Sequence, residues 1–249
     1  AEKKMNLQNS WAVAAKDFKI FRKKPTVIYA SVALPAIIGV VFPIILNYSL
    51  HNSAKTVGAA EAETLMNAFS IWFLIGAAII PTAIASYALV GEKVQKSLEP
   101  LLATPMTDGE ILLGKIISGL LIPLVAIYAG SVVFMALMDN FTHSLLGFYY
   151  FPNLYIGVIL LCAPLASLLS VELNVIISSR LSDVRSAQQL GGLLLLPFVG
   201  LYLASEIGIF PFTNSNLLIL AGALLVINVL LFLAARATFQ REEILTSWR

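Results

Sequence analysis

The chain has 249 residues, of which 59% are hydrophobic and only 12% are charged, and its mean hydropathy is +0.87. An ordinary soluble domain carries about 25% charged residues, so the composition excludes that class and predicts an all-α integral membrane protein. The net charge of +2 excludes little, and the single Cys162 excludes only an intrachain disulfide.

The first predicted element is an amphipathic helix within residues 1–25. Its apolar residues recur every three or four positions, which places them on one helix face: Leu7, Trp11, Ala14, Phe18 and Phe21. Its lysines fall on other faces, and Pro25 ends it. We expect this helix to lie on the cytoplasmic surface of the membrane; packing on a partner protein is the alternative.

Six stretches are long and apolar enough to cross a bilayer, which takes about 20 residues. They are Thr26–Leu46, Met66–Val90, Ile116–Met138, Leu154–Ser178, Leu190–Ser205 and Leu217–Ala235. Together they define one transmembrane domain over residues 26–235. Pro35 and Pro43 predict a kink in the first span. The stretch from Glu206 to Ser215 is compatible with a re-entrant element or with a plain hairpin loop.

The basic residues predict the topology of these spans. Fifteen of the sixteen lie before span 1, between spans 2 and 3, between spans 4 and 5, or after span 6; only Lys55 lies on the other side. Since basic residues are retained in the cytoplasm, both termini and the tail 236–249 are predicted to be cytoplasmic. The expected location is the cell membrane.

The segment before span 3 contains GEILLGKI, which resembles a nucleotide-binding P-loop. Ile116 stands where a P-loop needs Ser or Thr to hold magnesium, and helix-forming residues replace its loop. We therefore expect no phosphate binding. Instead, Thr107 and Glu110 have the spacing of a helix capping box, and Lys115 is expected to extend to the membrane interface.

The longest inner connection is residues 91–115, between spans 2 and 3. Alternating charges and two prolines, Pro100 and Pro105, divide it into short pieces. We expect span 2 to continue to about Leu98, a short helical turn to follow, and a new helix to begin at Asp108. Such a loop presents a compact surface to a partner.

Two inner loops carry a family resemblance. Ser97–Thr107 reads SLEPLLATPMT and is followed by EILLGK at Glu110–Lys115. This pattern resembles the segment after the second span of ABC-2 type permeases. The loop Ser178–Leu190 is similar to the loop between spans 4 and 5 of the same family. With six spans and an amphipathic start, the resemblance covers nearly the whole chain and implies the ABC-2 permease fold, which is type V exporter-like.

The resemblance also implies a mechanism. Two six-span subunits, here a homodimer, would enclose the substrate path in the lipid bilayer. Separate ATP-binding cassette subunits would bind ATP and magnesium and hydrolyse the ATP. This permease chain would itself bind no cofactor and would not be an enzyme. Segment 91–115 would be the coupling helix seated on the ATPase. The residues that match the family pattern, and are expected to contact the ATPase, are Glu92, Lys96, Glu99, Leu101 and Leu102.

Three polar residues within or beside the spans are candidates for the transport path. Glu172 lies inside span 4, where an isolated carboxylate costs about 2.5–3.5 kcal/mol. It is expected either to line the path and carry protons or to make a polar contact between helices. Gln188 and Gln189 begin span 5, which the resemblance places beside the path, and Gly191-Gly192 would allow close helix approach there.

The leading prediction is the permease subunit of an ATP-driven exporter of a hydrophobic or amphipathic substrate. The alternative is a proton- or ion-coupled secondary transporter that uses Glu172. The sequence contains no HExxH or GxSxG motif of an intramembrane enzyme. His51 and His143 have no companions at metal-ligand spacing, and nothing indicates a nucleic-acid partner.

Overall fold

A computed structural model describes residues 6–52, 58–94, 104–181 and 183–238. Within these ranges every regular element is a helix. Among the described residues, six helical runs are long and apolar enough to cross a membrane, as the sequence predicts. The chain is therefore an all-α protein with six candidate membrane spans.

Helix α1, before the spans, comprises Leu7–Arg22. The spans are formed by Pro25–Ala36, Ile37–Val41 and Phe42–Asn52 (span 1), Ala59–Val94 (span 2), Asp108–Leu146 (span 3), Asn153–Gly157, Val158–Cys162 and Ala163–Arg180 (span 4), Val184–Gly192 and Leu195–Glu206 (span 5) and Asn214–Thr238 (span 6). We call the end of the bundle where spans 1, 3 and 5 begin the basic end.

The predicted N-terminal helix is present, but a different face of it is buried. Asn6 caps it by accepting the Gln8 backbone N–H at 3.0 Å. Leu7 and Trp11, predicted to lie on its apolar contact face, are 68% and 55% exposed. The buried residues are Ser10, Val13, Ala14, Asp17 and Phe21. The helix thus packs on the bundle through these residues and leaves Leu7 and Trp11 uncovered by the described chain, and its position at a membrane surface stays a prediction.

Spans 1 and 4 each contain one turn of π-helix beside proline. In span 1 the π segment Ile37–Val41 lies between Pro35 and Pro43, which agrees with the predicted irregularity. In span 4 the segment Val158–Cys162 lies directly before Ala163-Pro164. Proline lacks an N–H and crowds the preceding turn, so a wider turn beside it relieves both effects.

Spans 1 and 3 cross with their backbones in contact. A Cβ on Gly39 would lie 2.5 Å from the Gly130 carbonyl oxygen, and one on Gly130 would lie 2.7 Å from the Pro35 carbonyl oxygen. Only glycine permits this approach, which is typical of helix crossings in membranes.

Of the three clusters of buried apolar side chains among the described residues, two hold most of the bundle together. The larger is built around span 2, the most buried span, and includes Phe73, Phe134 and Tyr155. The smaller, which we call the basic-end core, joins α1 to spans 2, 3, 4 and 6. It consists of Val13, Ala85, Ile111, Leu112, Ile116, Val171, Val175 and Ala235.

The structure corrects several predicted boundaries. Span 3 begins at Asp108, two turns earlier than its apolar stretch. Span 5 extends from Val184 to Glu206 and is interrupted at Leu193-Leu194. After Glu206 the described chain forms a short non-helical connection with Gly208 at φ 77°, so a hairpin loop, not a re-entrant helix, joins spans 5 and 6. The predicted continuation of span 2 beyond Val94 lies outside the described residues.

Candidate functional site

The predicted ATPase contacts fall mostly outside the described part of the chain. Lys96, Glu99, Leu101 and Leu102 lie in residues 95–103, which the structure does not describe. Glu92 lies in the last turn of the helix Ala59–Val94. The structure instead describes the elements that flank segment 91–115 or pack beside it: the end of span 2, the start of span 3 and helix α1.

The start of span 3 has the predicted capping box. The Glu110 backbone N–H donates to Thr107 Oγ1 at 3.3 Å, and the Thr107 backbone N–H donates to Glu110 Oε2 at 2.9 Å. The other oxygen, Glu110 Oε1, accepts the Asn6 backbone N–H at 2.7 Å. Glu110 is fully buried. One carboxylate therefore joins the start of α1 to the start of span 3.

A buried ion pair makes a second connection between the same two elements. Lys115 Nζ lies 3.0 Å from both carboxylate oxygens of Asp17, and Ser118 Oγ donates to Asp17 Oδ2 at 2.9 Å. Lys115 is 0% exposed and Asp17 is 2% exposed. The prediction that Lys115 extends to the membrane interface is therefore wrong, because α1 covers this side chain and supplies its counter-ion.

Between these two connections, α1 and span 3 are in backbone contact. A Cβ on Gly114 would lie 2.6 Å from the Ser10 carbonyl oxygen and 2.6 Å from Val13 Cβ. Ile111 and Leu112 are fully buried in the basic-end core. The close approach requires glycine at position 114, and it brings the Lys115 side chain within reach of Asp17.

This packing explains why the sequence GEILLGKI resembles a P-loop. Residues from Asp108 onward are helical, so their backbone N–H groups are directed along the helix and do not surround a phosphate. Gly114 provides clearance for α1, and the Lys115 ammonium binds Asp17. The motif is the contact surface for the N-terminal helix.

The basic end of span 2 is attached to the same assembly. Lys24, just before span 1, places its ammonium 4.4 Å from the centre of the Tyr87 ring, within the range of a cation–π contact. Ala85 of span 2 belongs to the basic-end core. Both edges of segment 91–115 are thus anchored to α1 and its immediate surroundings.

Sequence reasoning missed Asp17. It is the only acidic residue in Leu7–Arg22, a helix with three basic residues. A lone carboxylate on a basic helix beside a membrane is a signal for a buried counter-ion, because unpaired charges are costly to bury. The partner is 98 residues away in the chain, so helix periodicity alone could not identify it.

Glu172 of span 4 is 2% exposed. Its Oε2 atom has no hydrogen-bond partner among the described residues. Its neighbour Asn174 is bonded elsewhere: the Asn174 amide N–H donates to the Ser170 carbonyl at 2.8 Å, and the Asn174 amide oxygen accepts from Ser86 of span 2 at 3.1 Å. Two residues apart on a helix, Glu172 and Asn174 face opposite directions.

The two predicted span 5 glutamines lie in its first segment, where Gln188 is half-buried and Gln189 is exposed. Beside them, Gly191 contacts Asn174 so closely that a Cβ would collide with its amide. Gly192 has open space around it. Gly191 thus allows close approach of spans 4 and 5 within the chain, while close approach beside the path, between subunits, stays a prediction.

The loop between spans 4 and 5 has its own helix cap. Asp183 accepts the Ser186 backbone N–H and the Ser186 hydroxyl, each at 2.9 Å. The backbone hydrogen bond, followed by the hydroxyl, lowers the pKa of the exposed Asp183 carboxyl. The loop between spans 4 and 5 thus also ends in a defined helix start.

Comparison with known proteins places this geometry in a family. No curated protein matches the chain. A profile of the family described as "ABC-2 family transporter protein" matches residues 11–217. The match includes most of α1, the first five spans and the whole segment 91–115. The chain therefore belongs to the ABC-2 family of transporter proteins and is a membrane transport component with six helices able to cross a bilayer.

Proposed function

We propose that this chain is the permease subunit of an ATP-driven exporter. A separate ATP-binding cassette subunit, which carries ATP and magnesium, docks on segment 91–115. The supporting observation is the buried Asp17–Lys115–Ser118 cluster, with Glu110 beside it. It attaches the end of that segment rigidly to α1, so a displacement of the segment moves α1 and span 3 together.

The transmitted movement follows from the packing. Because α1, the start of span 3 and parts of spans 2, 4 and 6 share the basic-end core, they shift as one body. Close-packed interiors pass a displacement on instead of absorbing it. Closure of the ATPase subunits then changes the accessibility of the path between two permease copies, a two-state change biased by a ligand bound elsewhere.

The substrate class in this proposal is hydrophobic or amphipathic. The exposed surfaces of spans 1, 5 and 6 are apolar along their length, with residues such as Ile44, Leu196 and Leu230 more than half exposed. Charged side chains are rare in all six spans. In the proposed topology the basic end faces the cytoplasm of the cell membrane, and two copies of the chain form the working dimer.

Docking of the ATPase subunit is tested by co-purification. The full chain is extracted from its native host in mild detergent, and the accompanying chains are identified and assayed for ATP hydrolysis. We expect a stoichiometric ATP-binding subunit, lost when Glu99→Arg and Leu102→Asp are combined.

The control is Glu206→Arg, which makes the same charge change as Glu99→Arg at an exposed residue on the opposite end of the bundle. We expect this variant to retain the partner. A preparation that shows neither ATPase nor cross-linkable companion would contradict the proposal.

A second candidate function is proton-coupled transport through Glu172. It is favoured by the burial of this carboxylate and by the absence of a hydrogen-bond partner for Oε2 among the described residues. The two candidates differ in their response to Glu172→Gln. This change abolishes transport if the carboxylate carries the coupling proton and leaves ATP-dependent transport within a few-fold of wild type if it does not.

A further inference from the structure

An apolar groove runs along spans 1 and 3 on the outer surface of the described bundle. Its volume is about 610 Å³. Span 1 contributes residues between Val32 and Val40, span 3 contributes residues between Leu121 and Val133, and Phe18 of α1 closes one end. The groove therefore begins at α1, on the basic end, and extends toward the middle of the bundle.

The groove is deep because its floor consists of small residues. Ala36, Gly39, Ala129 and Gly130 line it where the two backbones meet, whereas Val125 on its rim is 65% exposed. Leu121 to Val133 spans about 18 Å at 1.5 Å per residue. The hydrocarbon core of a bilayer is about 30 Å thick. The length of the groove along the helices is therefore close to the thickness of one leaflet.

Two basic residues of α1 lie within one helical turn of Phe18, which closes the groove at the basic end. Lys19 and Arg22 are exposed, and Arg22 follows Phe18 by one helical turn, on the same side of α1. The only carboxylate of this helix, Asp17, is buried against Lys115. The entrance is therefore basic, while the lining is apolar.

We propose that the groove binds an anionic phospholipid from the leaflet at the basic end. An acyl chain lies between spans 1 and 3, and the headgroup phosphate binds Lys19 and Arg22. An extended peptide does not suit this site, because a purely apolar lining leaves its backbone N–H and C=O groups without partners. A neutral lipid fills the groove but makes no use of the basic residues.

Lipid titration followed by native mass spectrometry tests the proposal. The detergent-solubilised full chain, with any subunit that accompanies it, is titrated with phosphatidylglycerol or with phosphatidylcholine of the same acyl chains. We expect wild type to prefer phosphatidylglycerol by about thirtyfold, since each basic residue near an anionic headgroup contributes about a factor of five. The readout involves neither ATP nor transport, so it is independent of the proposed function.

Two variants separate the headgroup site from the groove. Lys19→Gln with Arg22→Gln brings the preference close to parity and leaves phosphatidylcholine binding unchanged. Its control is Arg180→Gln with Arg185→Gln, the same charge loss at two exposed residues of the basic end. Ala129→Phe fills the groove and weakens binding of both lipids at least tenfold.

The control for the filling variant is Val226→Phe on the exposed side of span 6, and both variants are checked for an unchanged apparent unfolding temperature without added lipid. Equal binding of the two lipids by wild type would overturn the proposal. Wild-type lipid binding by Ala129→Phe would do the same. Loss of a dimer on Ala129→Phe would show that a second copy of the chain occupies the groove.

Discussion

Lys115 shows how a tertiary contact changes the role of a single residue. Its sequence position, at the start of a span, is typical of a lysine that extends to the membrane interface. In the structure it is fully buried against Asp17. A buried pair contributes little net stability compared with apolar residues of the same size, but removing one partner leaves an uncompensated charge. Its value here is the fixed position of α1 on span 3.

A double-substitution cycle tests the pair. Lys115→Met leaves Asp17 buried without its counter-ion, and we expect a loss of about 3–5 kcal/mol in stability. Asp17→Leu combined with Lys115→Met removes both charges and should recover most of that loss. Apparent unfolding temperatures in mild detergent measure both. If the double variant were as unstable as Lys115→Met alone, the pair would not account for the effect.

Asp183 gives a pH-dependent prediction at the same scale. Hydrogen bonds from Ser186 lower the pKa of this carboxyl in the folded state, so its ionised form stabilises the helix start. The contribution is complete above the unfolded-state pKa of about 3.9 and is lost as the pH falls through the lowered folded-state value. Asp183→Ala should therefore lower the unfolding temperature at pH 7.

The same comparison at pH 2 provides the control for Asp183. There the carboxyl is protonated in the unfolded state, so the difference between wild type and Asp183→Ala should be smaller than at pH 7. Asp183→Asn keeps a side-chain acceptor for the cap and should be milder than the alanine variant at pH 7. A difference that is independent of pH would mean that charge has no part in the cap.

At the scale of elements, the contact between α1 and span 3 depends on Gly114. Gly114→Ala places a Cβ 2.6 Å from the Ser10 carbonyl oxygen, and we expect this overpacking to cost about 1–3 kcal/mol and to loosen α1. Trypsin cleavage at the exposed Lys19 and Arg22 should become faster. Gly192→Ala, with no atom within 4 Å of the added Cβ, is the matched control and should leave cleavage unchanged.

The elements also show what could be predicted from the sequence. The six spans were predicted from the length of their apolar stretches, and the Thr107–Glu110 capping box from the spacing of its two residues. Both signals are local in the sequence, and the structure contains both features. The contact of α1 with span 3 was not predicted, because helix periodicity identifies an apolar face but not which residues a distant helix covers. The interruption of span 5 at Leu193-Leu194 lies one turn before Pro197, which cannot donate a hydrogen bond to the Leu193 carbonyl and crowds it. The sequence therefore carried a local signal for this interruption that the prediction of span 5 did not use.

The candidate site could be predicted only in part. Segment 91–115 was identified as the candidate coupling segment from its residue pattern, and the family match includes it. The ATPase contacts within it stay predictions. Asp17 was missed because its partner lies across the fold. Glu172 was correctly identified as a carboxylate within a span, and its burial is now visible, but its part in transport depends on the second subunit and the substrate.

At the scale of the whole molecule, the proposed function is that of a permease whose path opens when a separate ATPase subunit moves segment 91–115. The described helices form a bundle with its rigid part at the basic end and its least buried spans, 5 and 6, at the side. This arrangement suits a subunit that receives movement at one end and pairs with a second copy through its side.

Reconstitution into lipid vesicles tests this account most directly. The chain is inserted with and without its co-purifying ATP-binding subunit, and export of a fluorescent amphipathic probe is measured with ATP or with a pH gradient as the energy source. The account predicts export only when both the ATP-binding subunit and ATP are present, with Glu172→Gln remaining active. Export by the chain alone, driven by a pH gradient and abolished by Glu172→Gln, would contradict it.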